Sequence, residues 1–153
     1  MTTDEFDKND SFDLQDFLPF LLNQAAEDVS LHFQRVYKDR YGMLRTEWRV
    51  LFHLGVFGTL TATEIGQRAR LHKTKISRAV QKLEQRRYLS RVKDDKDRRL
   101  EWLALTPAGR TVYKELQNIA QQYDAKLAGL FPRQDVVVLR RMLRRLAGDG
   151  THW

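Results

Sequence analysis

The chain has 153 residues, 42% of them hydrophobic, enough for one compact unit or two small subdomains and too many for a disordered chain. It carries a formal net charge of +7 and no cysteine, which excludes disulfides, thiolate metal sites, iron–sulfur clusters and thiol redox switches. No apolar run approaches a membrane span and the acidic start is not a secretory signal, so the expectation is a cytoplasmic protein without a membrane partner.

The charge is unevenly spread. Residues 68–99 hold 13 Lys and Arg against four acids, a local net of +9, whereas residues 1–30 hold eight acids and one Lys. A concentrated basic segment is the footprint of a polyanionic partner.

In chain order, residues 1–11 are polar and read as a frayed start. Apolar residues then recur at steps of three and four from Leu14 through Phe33, Val36 and Tyr37, the mark of a long amphipathic helix. Pro19 fits its first turn, which places the regular helix from about Leu18 to Gly42. Thr46–Leu54 is a second helix with Trp48, Leu51, Phe52 and Leu54 inward, and Gly55 and Gly58 mark its end. Thr61 and Glu64 form a capping box that starts a short third helix running to Arg70. Leu71–Lys73 is a turn, and Lys73 to Arg87 is the next helix, with Thr74 or His72 near its N-cap.

Leu89–Lys93 and Leu100–Leu105 alternate as two short strands around the polar tip Asp94–Arg99. Thr106-Pro107 starts a helix of about 20 residues, with Thr as cap and Pro at the first helical position. Phe131-Pro132 breaks it. Val136, Leu139, Met142, Leu143 and Leu146 form the stripe of a last helix that ends at Gly148. The pattern is mainly α with a small β-hairpin wing: a winged helix-turn-helix at 43–106, flanked by helical segments 12–42 and 107–148. The flanking stripes exceed what a domain of about 60 residues can cover. Two chains packing them together predicts a homodimer.

On a helical wheel at 100° per residue, Ile76, Val80 and Leu83 form one stripe of the fourth helix. Thr74, Lys75, Arg78, Gln81 and Lys82 lie away from it. An α-helix fits the DNA major groove, where Arg and Lys bond guanine edges, and its N-terminal half reaches the bases. Lys75 and Arg78 are therefore the base-reading candidates and Lys82 a phosphate contact. On the wing, an Arg from the tip fits the minor groove. Asp97 is placed to orient an Arg two residues on, since alternate residues share a face in extended chain. The competing reading of the tip is an ordinary polar turn.

Three stretches resemble the MarR/SlyA family of bacterial transcriptional regulators: Asp97 to Gly109 through the wing and the next helix start, Lys73 to Glu84, and Arg45 to Leu51. The resemblance covers roughly residues 18–147. It implies an obligate homodimer with interlocking terminal helices, a pseudopalindromic double-stranded DNA operator, and repression relieved by a small aromatic or amphipathic anion. The DNA-contact set is then Thr74, Lys75, Ser77, Arg78, Gln81 and Lys82 on the helix and Asp97, Arg98 and Arg99 on the wing, with Asp97 and Arg99 as the wing pair. One departure is Arg87-Tyr88-Leu89, where many relatives carry Gly after the recognition helix.

The resemblance also implies an effector pocket where the dimerisation helices meet the winged-helix core. Phe33, Tyr37, Trp48, Arg49 and His53 fall in the corresponding segments. Aromatic walls with one cation would suit an aromatic carboxylate. The same aromatics at helical spacing also suit a plain core. No enzyme is expected: His32, His53, His72 and His152 lack metal-ligand spacing, and no G-x-S-x-G, phosphate-binding Gly loop or cysteine nucleophile is present. No cofactor is expected. The alternative function is a DNA-binding architectural protein without an effector.

Overall fold

The computed structural model describes residues 11–148. Most of the polar opening segment, residues 1–10, and His152 lie outside the described residues. After a short 3-10 turn at Leu14–Asp16, the elements are α1 (Leu18–Tyr41), α2 (Arg45–Phe57), β1 (Leu60–Thr61), α3 (Ala62–Ala69), α4 (Lys73–Gln85), β2 (Leu89–Lys93), β3 (Glu101–Leu105), α5 (Pro107–Ala128) and α6 (Arg133–Leu146). The chain is mainly helical with one small antiparallel sheet, ordered β1-β3-β2.

Local chemistry explains most boundaries. Pro19 occupies the first turn of α1, and Gly42 closes it in the left-handed region at φ 63°, its N–H reaching the Lys38 and Tyr37 carbonyls. At the start of α3, Thr61 Oγ1 accepts from the Glu64 N–H at 3.2 Å and the Glu64 carboxylate accepts from the Thr61 N–H at 3.3 Å. Thr106 caps α5 by accepting from the Gly109 N–H at 3.0 Å.

Four details differ from the sequence reading. Helix α2 runs through Gly55 and stops only at Gly58. Gly55 is instead the seat of the Tyr113 ring, which would lie 2.4 Å from a Cβ there. Helix α4 ends at Gln85, two residues early, because Arg87 turns left-handed at φ 63°. The Tyr88 N–H then bonds the Leu83 carbonyl at 2.9 Å, a bond that closes the helix end. Leu100 belongs to the wing turn rather than to β3, its carbonyl accepting from the Asp94 N–H at 2.9 Å. Strand β1, paired Leu60↔Leu103 and Thr61↔Trp102, was not anticipated. Two residues are too few for an alternating pattern to show.

The core sits among α2, α3, α4, the sheet and the first half of α5. Val50, Leu51, Leu54, Ile65, Ile76, Val80, Leu83, Leu103, Val112 and Leu116 are buried there. Trp48 and Phe52 are half-buried at its edge. Helix α1 adds only Phe33 and Tyr37, and α6 buries nothing.

Candidate nucleic-acid interface and the cavity behind it

Helix α4 has two faces. Ile76, Ala79, Val80 and Leu83 are buried, and Thr74, Lys75, Ser77, Arg78, Gln81 and Lys82 are all exposed. The buried stripe therefore fixes the rotation of the helix and aims the basic face outward. His72 is the N-cap, its Nδ1 accepting from the Thr74 N–H at 3.4 Å. Lys75, Arg78 and Arg98 have no carboxylate partner among the described residues. Lys82 differs from them. Its Nζ lies 3.8 Å from the carboxylate of Glu47, which is only 1% exposed. That carboxylate also accepts from the Leu44 N–H at 2.9 Å, so it caps α2 and tethers α4 at once.

On the wing, the acids hold the turn. Asp94 accepts from the Lys96 N–H at 2.8 Å and from Trp102 Nε1 at 3.2 Å. These two bonds, the Lys96 one first, keep the Asp94 carboxyl below its ordinary pKa. Asp97 accepts from the Arg99 N–H at 3.1 Å, and the Arg99 Nε stands 3.9 Å away. The Asp97–Arg99 link is therefore chiefly a side-chain-to-backbone turn. The Arg99 side chain remains 96% exposed, and Arg98 is exposed beside it. Not every basic residue of the segment is available to an anion. Arg91 bonds Glu84 at 3.0 Å and Glu101 at 3.2 Å, and Arg86 donates to the Tyr41 and Gly42 carbonyls at the end of α1.

Helices α1, α2 and α5 line an open cavity of about 490 Å³. Phe33, Tyr37, Trp48 and Arg49 line it, as do Arg45, Tyr123 and Asp124. The aromatics form one cluster: Tyr37 stacks on Trp48 at 5.5 Å, and Phe33 meets Trp48 edge-on at 5.2 Å and stacks on Tyr123 at 5.7 Å. They serve as core and as wall together. The Trp48 Nε1 is buried without a hydrogen-bond partner among the described residues. Burial pushes the Tyr37 hydroxyl pKa up.

His53 is not brought to the cavity. One turn after Arg49, its Nδ1–H donates to the Arg49 carbonyl at 2.6 Å and its ring lies 5.9 Å from Phe57, on the far part of α2. Arg49 donates through Nη2 to the Ala69 carbonyl. Its pKa is lowered by burial and then by the neighbouring Arg45. Asp124, the acid of the wall, is already paired with Arg140 of α6 at 2.7 Å. Arg45 was legible as a cation one turn before Arg49. Tyr123 and Asp124 were not, because they arrive from a distant segment through the packing of α5.

Residues 41–100 match the family model described as MarR family. This part of the chain is similar to the MarR family. The match spans α4 and the wing tip, where all nine candidate DNA contacts lie. The chain is similar to the HTH-type transcriptional regulator FarR of Neisseria gonorrhoeae, with 25% identity over 127 residues, 82% of this chain and 86% of FarR. Its fold is similar to that of Bordetella bronchiseptica BpsR, whose regulation of DNA binding by 6-hydroxynicotinic acid has been described structurally: TM-score 0.81, 21% identity, 90% of this chain and 97% of that one. NadR in complex with 4-hydroxyphenylacetate is similar at a TM-score of 0.72 and 25% identity, over 86% of this chain and 93% of that one. The curated relatives it matches carry the names of HTH-type transcriptional regulators. Among the described residues no helix is long and apolar enough to cross a membrane, and no group of three His, Asp or Glu could hold a metal ion.

Proposed function

We propose that this chain is a MarR-family regulator, a ligand-responsive repressor that binds a pseudopalindromic operator as a homodimer. In this reading residues 43–106 bind DNA, and residues 12–42 with 107–148 dimerise. The observation that carries it is the outward basic face of α4, with Lys75 and Arg78 unpaired beside an exposed Arg98 and Arg99. Lys75 and Arg78 would read base edges, and the wing arginines would enter the minor groove. Lys82 would contact a phosphate with a charge it shares with Glu47.

Dimerisation is supported by the apolar side chains that α1 and α6 leave exposed, among them Leu18, Leu21, Leu139, Met142 and Leu143. A two-fold dimer predicts half-sites about one helical turn apart, roughly 10 bp centre to centre. An effector is supported by the cavity, whose aromatic walls and two guanidinium groups suit an aromatic carboxylate. NadR and BpsR are described with aromatic acids of that kind. The cavity also favours this reading over an effector-independent architectural protein.

Replacing Arg78 with Ala tests the interface. It is expected to cost about 1–3 kcal/mol of binding and to relax preference at one base step in each half-site. Titration of a panel of operator point variants measures both. Unchanged affinity together with unchanged base preference would remove Arg78 from the reading set. Light scattering that finds the intact protein monomeric at micromolar concentration would end the dimer reading.

A further inference from the structure

Two guanidinium groups, Arg45 and Arg49, project from successive turns of α2 into the wall of one cavity. Neither has a carboxylate partner among the described residues. Arg45 donates to Ser30 Oγ at 3.3 Å, and Arg49 to the Ala69 carbonyl. The one acid in the wall, Asp124, is engaged by Arg140. Arg45 disfavours the charged form of its neighbour Arg49. An anion between the two relieves that repulsion and gains charge-assisted, forked hydrogen bonds.

The Arg49 bond leads out of the cavity. Ala69 is the last residue of α3, and the final carbonyls of a helix have no intrahelical donor. Arg70 follows in the left-handed region at φ 52°, a conformation that costs a non-glycine residue. Leu71 and the N-cap His72 complete the turn into α4. The turn before the recognition helix is thus strained, short and pinned at its first end by a side chain from the cavity wall.

We propose that Arg49 transmits occupancy of the cavity to the recognition helix: an aromatic carboxylate bound between Arg45 and Arg49 takes over the guanidinium that holds the Ala69 carbonyl, and so releases the turn before α4. This rests on the ligand-responsive reading above and adds the residue and the bond through which it acts. Two functions meet on one side chain. While the cavity is empty of anion, Arg49 serves α3, and when an anion is bound, Arg49 serves the anion.

The test uses the full chain, a duplex selected by the protein from a random-sequence pool, and salicylate and 4-hydroxycinnamate as probes. Tryptophan fluorescence measures probe binding, and titration measures duplex binding with and without probe. In the wild type, saturating probe is expected to lower duplex affinity by a factor in the usual coupling range of roughly 5–150, and the duplex must lower probe affinity by the same factor. Arg49→Met and Arg49→Lys are expected to bind the duplex more weakly from the start, with a coupling factor near one. Arg45→Met is expected to need more probe yet to reach the full wild-type factor at saturation.

Hydrogen exchange at residues 70–74 supplies a readout that a mere loss of affinity does not move. Protection there should fall when probe binds the wild type and should already be low in the Arg49 variants. An Arg49 variant that binds probe and keeps the wild-type factor overturns the proposal and leaves the ligand-responsive reading standing. So does wild-type protection at 70–74 in a probe-free Arg49 variant that no longer binds probe. No saturable binding of either probe to the wild type overturns both. Arg49→Lys, which keeps the charge and loses the fork, decides the matter if Arg49→Met melts too low to assay.

Discussion

Helices α4 and α6 are nearly the same length, 13 and 14 residues, and both are strongly amphipathic and basic. Their fates differ. Helix α4 buries Ile76, Ala79, Val80 and Leu83 against its own chain, whereas α6 buries no residue and leaves Val137 61% and Met142 56% exposed. Among the contacts that α6 makes with the rest of the chain are two polar ones, Arg140 on Asp124 and Arg70 on the Ala147 carbonyl. An apolar stripe states that a face needs cover; it does not state whose cover. In α4 the cover is α2, α3 and the sheet, and in α6 the described residues leave most of the stripe open.

The sharpest way to break this contrast is to disturb the close packing on the α4 side. A Cβ at Gly109 would fall 1.9 Å from the Tyr88 carbonyl oxygen, where α5 starts against the chain entering β2. Gly109→Ala is therefore expected to cost about 3 kcal/mol or more, because backbone rather than a flexible side chain must move. A urea melt with an unchanged midpoint would show that this contact is loose. Next come the two helices themselves. Leu83→Ala is expected to cost about 2–5 kcal/mol at every protein concentration, as a filled core site becomes a cavity. Leu143→Asp should leave the monomer fold standing and act on assembly, abolishing the concentration dependence of Tm that an oligomer shows. If Leu143→Asp unfolds the chain at all concentrations, α6 is part of the intrachain core and the contrast fails.

Smaller effects sharpen the boundary between the regions. Arg87 stands left-handed at φ 63°, a conformation that favours Gly. Arg87→Gly is expected to stabilise the fold by up to about 1 kcal/mol, since relief of strain outweighs the extra chain entropy of Gly. A lower Tm for the variant would show that the Arg87 side chain contributes more than its backbone costs. The smallest effect is electrostatic. Glu115 of α5 accepts from the Tyr41 hydroxyl and from Arg40, both of α1, and these contacts, Tyr41 first, hold its carboxyl below the ordinary range. A depressed pKa means stability that is present above about 4.3, the unfolded value, and is lost as pH falls through the folded one. The Tyr41 hydroxyl, pushed up to about 12 by burial and then by Glu115, gives the opposite sign. Its contribution is present below about 10 and is lost as pH rises through 12. Glu115→Gln should flatten the acid limb of the stability profile, and an unaltered acid limb would show that α1 and α5 are not joined there.

The elements were legible in the sequence wherever a local signal exists. Pro19, the Thr61–Glu64 box and Thr106-Pro107 each place a helix start, because a cap acts within four residues. The outward face of α4 was legible too, since 100° per residue turns the positions of Ile76, Val80 and Leu83 into a direction. The cavity was legible in part. Phe33, Tyr37, Trp48 and Arg49 lie in it, but His53 does not, because spacing along α2 does not say which way a ring turns at the end of the groove.

By itself, then, the sequence determined the order and amphipathic sides of the helices, the outward basic face of α4 and the resemblance to the MarR family, all consequences of periodicity, capping and residue type over short distances. Only the tertiary structure decided that Gly55 continues a helix to seat Tyr113, that buried Glu47 reaches Lys82, and that Arg49 spans from the cavity to Ala69. Each of these joins residues 20 or more positions apart. Their meeting depends on how α2 packs against α3, α4 and α5, which no local propensity encodes.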